Sequence, residues 1–239
     1  MCYYSTKVCR IRDLARIDSK IIIQFSIDGH VGVLRKIIPK KVEICWQMKV
    51  GLFFGSFNPI HTGHLILAQS ALDMAGLDKI WFVVSPSSPD KDYTKLLHEF
   101  DRFDIAFAAT RDNPAFKVLD IEFSLPKPSF TYLTLRKLKE KHPEDEFSIL
   151  MGSDNFRNLD RWKNVEEIRQ QVSFVIYPRL ASEKPKEIEK NELVTWIEAP
   201  LLQISATQVR EMIKKGFSTR YLIPEDARRL IELKGFFRD

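Results

Sequence analysis

No stretch of about 18 uninterrupted apolar residues occurs in the 239-residue chain, which excludes a membrane-spanning helix. Cysteine is scarce: Cys2, Cys9 and Cys45 are the three present, and none follows residue 45. The body of the chain therefore holds neither a disulfide framework nor a cysteine-based zinc cluster, and a reducing, cytoplasmic setting fits. The amino-terminal stretch lacks the basic region, apolar region and small-residue cleavage site that a signal peptide needs. A one-signed charge is lacking too, once the formal net charge of +5 is located. Residues 1–47 carry nine Lys and Arg against four Asp and Glu, leaving 28 of each sign for residues 48–239. A neutral body argues against a surface that tracks a polyphosphate backbone, so nucleic acid is not expected as a partner. The dinucleotide fingerprint is missing as well, because Gly51, Gly55 and Gly63 do not make Gly-x-Gly-x-x-Gly.

What is present describes a globular protein, 44% hydrophobic and 29% charged. Met48-Lys49-Val50 begins the first clear strand as a chain start does. Met48 is thus expected to be the initiation site, with residues 1–47 a start-site artefact or, alternatively, a basic accessory arm. From there strand and helix signals alternate, the pattern of an α/β domain with a mostly parallel sheet and helices on both faces.

The stretch 51–65, Gly-Leu-Phe-Phe-Gly-Ser-Phe-Asn-Pro-Ile-His-Thr-Gly-His-Leu, carries the chemistry. An apolar run over 49–54 reads as a buried strand, and Leu65, Ala68, Leu72 and Ala75 recur at helical spacing until Gly76. Gly55 and Gly63 in the loop between are expected to let backbone approach a ligand closely. The amides that open the helix carry positive potential, and His61 and His64 donate from one side of its first turn. A cap or half of a metal site is the plainer alternative, though no third metal ligand stands nearby.

These residues resemble the signature of the HxGH nucleotidyltransferase superfamily, with Asn58 where nicotinate-nucleotide and phosphopantetheine adenylyltransferases usually have Asp. The resemblance implies a Rossmann-like fold and nucleotidyl transfer, with His61 and His64 at the α-phosphate and Gly55, Ser56, Phe57 and Gly63 around ATP.

It continues along the chain. The apolar run 79–85 is a second strand, and Ser88-Pro89-Asp90-Lys91 is a partial match to the family's Pro-Pro-His-Lys loop, where Lys91 would reach bound phosphate or remain a solvated loop lysine. A helix over about 101–111 places Phe103 and Phe107 on its apolar stripe, and 116–123 reads as a third strand. Pro128-Ser129-Phe130-Thr131 resembles the pyridine-nucleotide element of nicotinate-nucleotide adenylyltransferases, in which Thr131, at or near a helix start, would receive the nicotinate carboxylate. A fourth strand over 146–151 ends in Gly152-Ser153-Asp154, similar to the family's Gly-x-Asp. Gly152 would then permit close approach and Asp154 would accept from ribose hydroxyls or help position the metal-bound phosphates. Trp162 occupies the family's Trp position, suited to stacking on a pyridine, and taken alone is a packing residue. Strands follow over 172–177 and 193–197, with a charged loop over 181–192. Finally, Ile204-Ser205-Ala206-Thr207-Gln208-Val209-Arg210 resembles the family's Ile-Ser-Ser-Thr-x-Ile-Arg, a helix start at which Ser205, Thr207 and Arg210 would clamp phosphate.

The reading is a nicotinate-nucleotide adenylyltransferase of NAD synthesis, with ATP and nicotinate mononucleotide as substrates and Mg²⁺ accompanying ATP. The protein itself contributes positioning and charge neutralisation, with no nucleophile, no metal ligand and no membrane partner. Rivals are another HxGH transferase acting on nicotinamide mononucleotide or phosphopantetheine, a cytidylyltransferase, an aminoacyl-tRNA synthetase relative and a non-catalytic nucleotide-binding module. The residues leave the oligomeric state open, a homo-oligomer included.

Overall fold

The computed structural model describes residues 23–27, 30–34, 47–87, 96–179, 193–200 and 202–238. They fall in two units, Met1–Cys45 and Trp46–Asp239. In the first, β1 (Ile23–Ile27) and β2 (His30–Leu34) pair antiparallel, with Ile23 opposite Leu34 and Ile27 opposite His30.

The second unit is built on six parallel strands: β3 (Lys49–Gly55), β4 (Lys79–Val84), β5 (Phe116–Leu119), β6 (Glu146–Gly152), β7 (Ser173–Tyr177) and β8 (Val194–Trp196). They lie side by side in the order β5-β4-β3-β6-β7-β8. Counted from β3, that is third, second, first, fourth, fifth, sixth, the doubly wound Rossmann order. The winding reverses between β3 and β6, so their carboxyl ends diverge into a crevice.

Among the described residues seven helices cover the sheet: α1 (Thr62–Met74), α2 (Glu99–Thr110), α3 (Thr131–Lys141), α4 (Ser153–Arg157), α5 (Val165–Gln171), α6 (Ala206–Lys214) and α7 (Glu225–Lys234). Period-2 alternation divides the strands' side chains between two cores. Phe53, Ile80, Phe82, Val84, Leu150 and Val175 pack beneath Ala68 of α1, Ile105 of α2, Val209 of α6 and Ile231 of α7. Leu52, Trp81, Val83, Ile149, Met151 and Ile176 face the other way, against Leu135 and Leu138 of α3 and Ile168 of α5. With both faces buried, the strands read as continuous apolar runs rather than alternating ones.

Two expectations are corrected. The third strand stops at Leu119 instead of reaching 123, because the chain turns into a 3-10 helix over Ile121–Ser124 that carries Glu122 into the interior. The apolar stripe of α2 is only partly inside: Phe107 is 53% exposed, while Phe103 is half-buried against the core and stacks on Phe107. The buried face of that helix is one step round, at Arg102, Ile105, Ala106, Ala109 and Thr110. Two glycines of the 51–65 stretch also serve the chain itself. A Cβ on Gly55 would lie 2.9 Å from the Phe57 ring, and one on Gly63 would lie 3.0 Å from Nδ1 of His61, so both make room for the chain's own rings. Gly76, at φ +61, closes α1 as the sequence indicates.

Candidate active site

At the crevice above β3 and β6 lie two adjoining cavities of about 620 and 640 Å³. Both are walled by Phe54, Gly55, Ser56, Asn155 and Trp162. His61, Gly63, His64, Ile204 and Ser205 belong to the first, together with Phe57. Thr131, Glu122 and Ser129 belong to the second, with Arg161 and Lys163 as its cations.

The loop between β3 and α1 is held from behind. Ser85 N–H donates to the Gly55 carbonyl at 2.9 Å, and Nη1 of Arg102 donates to the Ser56 carbonyl at 2.6 Å. Nη1 of Arg210 donates to the Asn58 carbonyl at 2.7 Å, while Asn58 Oδ1 accepts from Leu97 N–H at 3.1 Å. In a planar peptide N–H and C=O point opposite ways, so the Ser56 and Phe57 amides are directed away from those partners. Phe57 adopts φ +43. For a non-glycine residue that left-handed conformation costs about 1–2 kcal/mol, which the anchored carbonyls on either side of Phe57 hold in place.

His61 is the N-cap residue of α1, and its ring lies 3.8 Å from that of His64, centroid to centroid. The His61 backbone N–H donates to Nδ1 of His64 at 3.2 Å. That bond assigns the neutral His64 tautomer with its proton on Nε2. His61 is 6% exposed, and burial lowers its imidazole to about 4, so it is neutral throughout the physiological range. Its Nδ1 is buried and has no hydrogen-bond partner among the described residues. A neutral imidazole on a cavity wall can offer its ring N–H to an anion's oxygen. The helix amides expected to serve the same anion are partly used: Thr62 N–H donates to the Leu222 carbonyl at 2.8 Å, and its hydroxyl donates to that of Tyr221 at 2.9 Å.

At the start of α6, Ser205 is the N-cap, and its Oγ accepts from Gln208 N–H at 3.1 Å, which leaves the hydroxyl proton available to donate. Thr207 and Arg210 are not among the residues lining either cavity. Nη2 of Arg210 donates to the Thr207 hydroxyl at 3.2 Å. Two of the five Arg210 donors are thus committed within the protein, and Arg210 ties α6 to the loop at Asn58. Gly152 and Asp154 also stand outside both linings. Nε of Arg179 donates to Oδ1 of Asp154 at 3.1 Å, and Arg179 itself lines the first cavity. Thr131 opens α3, with Phe130 as the N-cap and no side-chain cap bond. Lys91 lies outside the described residues.

Arg102 and Glu122 escape a reading by sequence. Arg102 is 1% exposed and donates to four carbonyls, those of Leu97, Ser56, Ser85 and Pro86. It welds the loop after β3 to the end of β4. The available signal was a charged residue at helical spacing with Ile105, Ala106 and Ala109. Glu122 is 2% exposed, a carboxyl within the run 118–123. Among the described residues no group of three His, Cys, Asp or Glu could hold a metal ion. The polar lining of the first cavity is instead imidazole, hydroxyl, amide and guanidinium, groups that meet phosphate oxygens.

Residues 52–212 match the family model described as cytidylyltransferase-like. The chain is 45% identical over 190 residues to the "Probable nicotinate-nucleotide adenylyltransferase" of Cytophaga hutchinsonii, a match spanning 80% of this chain and 98% of that protein. Identity to the protein of the same name from Flavobacterium johnsoniae is 41% over 192 residues, covering 80% of this chain and all of the relative. Among solved structures, the Plasmodium falciparum nicotinic acid mononucleotide adenylyltransferase complexed with NaAD superposes with a TM-score of 0.66 at 21% identity, over 80% of this chain and 98% of that one, a likeness of fold.

Proposed function

The chain belongs to the nicotinate-nucleotide adenylyltransferase family, and from that premise we propose that its two adjoining cavities are the ATP and pyridine-nucleotide halves of one active site. The protein transfers the adenylyl group of ATP to nicotinate mononucleotide in NAD biosynthesis. A phosphate oxygen of the mononucleotide attacks the α-phosphorus of ATP, the bond from that phosphorus to the bridging β-oxygen breaks, and pyrophosphate leaves with the bond's electrons. The substrate is already a nucleophile, so the residues have only to align two phosphates and offset the charge that develops between them.

The observation that carries this reading is the wall shared by the cavities. Ser56, with Trp162 opposite, borders both, so nucleotides entering from either side meet with their phosphates at the loop held by Arg102 and Arg210. There the Ser56 and Phe57 amides, the His61 and His64 rings and the Ser205 hydroxyl converge as donors. Asp154 serves the ATP side through Arg179, and Thr207 through Arg210. In the second cavity Thr131 and the first-turn amides of α3 receive the carboxylate, and Trp162 lies along the pyridine. Lys163, with Nζ 4.6 Å from the Phe130 ring centre, adds positive charge near the entering phosphate. Mg²⁺ would accompany ATP as part of the substrate and supply charge neutralisation at its phosphates. A cytoplasmic setting accords with the cysteine-free body. Among the described residues no helix is long and apolar enough to cross a membrane.

Pyrophosphate release is to be measured with ATP and, separately, nicotinate mononucleotide, nicotinamide mononucleotide and phosphopantetheine. Turnover with nicotinate mononucleotide in preference to the other two is expected. Equal use of both mononucleotides removes the carboxylate argument, and turnover of phosphopantetheine alone removes the substrate assignment.

The unit Trp46–Asp239 is proposed to suffice for this activity. Its first strand is anchored within the unit, since Met48 N–H donates to the buried Asp145 carboxylate at 3.0 Å and Lys49 N–H to Asp78 at 2.8 Å. A protein of residues 48–239 is therefore expected to match the full chain in thermal midpoint and turnover. A truncated protein that fails to fold would show that residues 1–47 contribute to the core.

A further inference from the structure

Resting on the reading of the second cavity as the pyridine-nucleotide half, we propose that Glu122 selects between nicotinate and nicotinamide mononucleotide by presenting a neutral carboxylic acid to the pyridine substituent. The carboxyl is 2% exposed and lines that cavity beside Ser129, Thr131 and Trp162. Its Oε1 accepts from the Thr134 hydroxyl of α3 at 2.8 Å. Its Oε2 is buried, and the Ser85 and Ser129 hydroxyls lie beside the carboxyl. A carboxyl buried on a cavity wall among hydroxyls is expensive to ionise. With Oε1 engaged as an acceptor, a proton on the carboxyl sits on Oε2.

The groups around Glu122 are mostly uncharged. Ser85 faces it from the end of β4, Thr134 from α3 and Ser129 from the loop before α3. Charge is more distant: Arg161 and Lys163 line the same cavity, and Arg102 meets the same part of β4 through the Ser85 carbonyl. Burial is the largest influence and raises the carboxyl above its ordinary range, while the three hydroxyls pull the other way. The neutral form is therefore held to higher pH than in water, and the carboxylate appears as pH climbs through the raised value.

Each form favours a different ligand. The acid donates from Oε2 to a nicotinate carboxylate, and Ser129 donates beside it, two charge-assisted bonds that a carboxamide cannot match. The carboxylate repels nicotinate and accepts from the amide nitrogen of nicotinamide instead. Rising pH should thus move selection from the acid toward the amide.

The experiment is the ratio of kcat/KM for nicotinate mononucleotide to that for nicotinamide mononucleotide, across the whole pH range in which the protein stays folded, in the full-length wild type and in Glu122→Gln. Where the amide substrate turns over too slowly, its inhibition constant against nicotinate mononucleotide supplies the second quantity. Both substrates carry the same ribose phosphate and meet the same histidines, so those titrations cancel in the ratio. The wild-type ratio is expected to fall about tenfold or more as pH rises, the size of a like-charge contact replacing a hydrogen bond. In Glu122→Gln the side-chain oxygen still accepts from Thr134 and the NH₂ group donates at every pH, so the ratio should be flat. A flat ratio in the wild type, or the same slope in the variant, overturns the proposal while adenylyl transfer to nicotinate mononucleotide stands. If the wild type uses neither mononucleotide, this proposal falls together with the reading it rests on. The wild-type slope decides the matter even if the variant does not fold.

Discussion

His64→Ala is expected to lower kcat about 100- to 1000-fold with the fold intact, the loss seen when one preorganised donor is taken from a developing oxyanion. The size follows from the geometry. Nδ1 of His64 is occupied by the His61 N–H, so the neutral ring presents its proton on Nε2, and the ring borders the cavity next to the Ser56–Phe57 turn. A donor fixed in that way costs no reorganisation as charge builds on the α-phosphate. The ring is also packed edge-on to Phe53 at 5.8 Å and Phe57 at 5.2 Å, so truncation leaves a small gap and a modest loss of stability. Single-turnover rates at saturating substrates, with a thermal melt as control, make the check, and turnover within about threefold of wild type would remove His64 from the chemistry. His61→Ala should also slow the reaction. Part of its effect should appear as a raised KM for ATP, because His61 lines the cavity proposed for ATP and would meet a phosphate already present in the ground state.

Trp162→Ala carries the second large effect: the KM for nicotinate mononucleotide should rise about 5- to 100-fold, the worth of one aromatic stacking contact. The residue is half-buried against the second core and forms a wall of both cavities. Its position on both sides makes the test discriminating. A ring that stacks on the pyridine raises the KM for the mononucleotide and leaves that for ATP nearly unchanged, whereas a ring that merely divides the cavities raises both together. Steady-state kinetics with each substrate varied in turn separate the two, and a parallel rise would refute the stacking role.

The glycines and arginines of the site mark how far residue types alone lead. A Gly-rich turn before a helix indicates close approach, and close approach is what the structure has. The approaching groups, however, are the Phe57 ring at Gly55 and the His61 ring at Gly63. Arg210 is legible as a cation at a helix start. That its guanidinium reaches back 152 residues to the Asn58 carbonyl is not, since nothing local to either residue encodes the pairing. Arg102 is the sharpest case. A charged residue in an apolar stripe is usually a solvated flank, yet here it is the buried point at which four carbonyls from three segments converge.

By itself the sequence determined the α/β winding, the strand-to-helix turn with its two histidines, the helix start at Ser205 and the family, because each is written in periodicities and motifs a few residues long. Tertiary structure alone decided which side of α2 is core, where β5 gives way to a 3-10 turn, which donors at the site are already committed to the protein, and that Glu122 stands at a cavity wall. These depend on what lies opposite a residue once the sheet is assembled, and burial and hydrogen-bond satisfaction are settled by partners tens to hundreds of positions away, which no local pattern records.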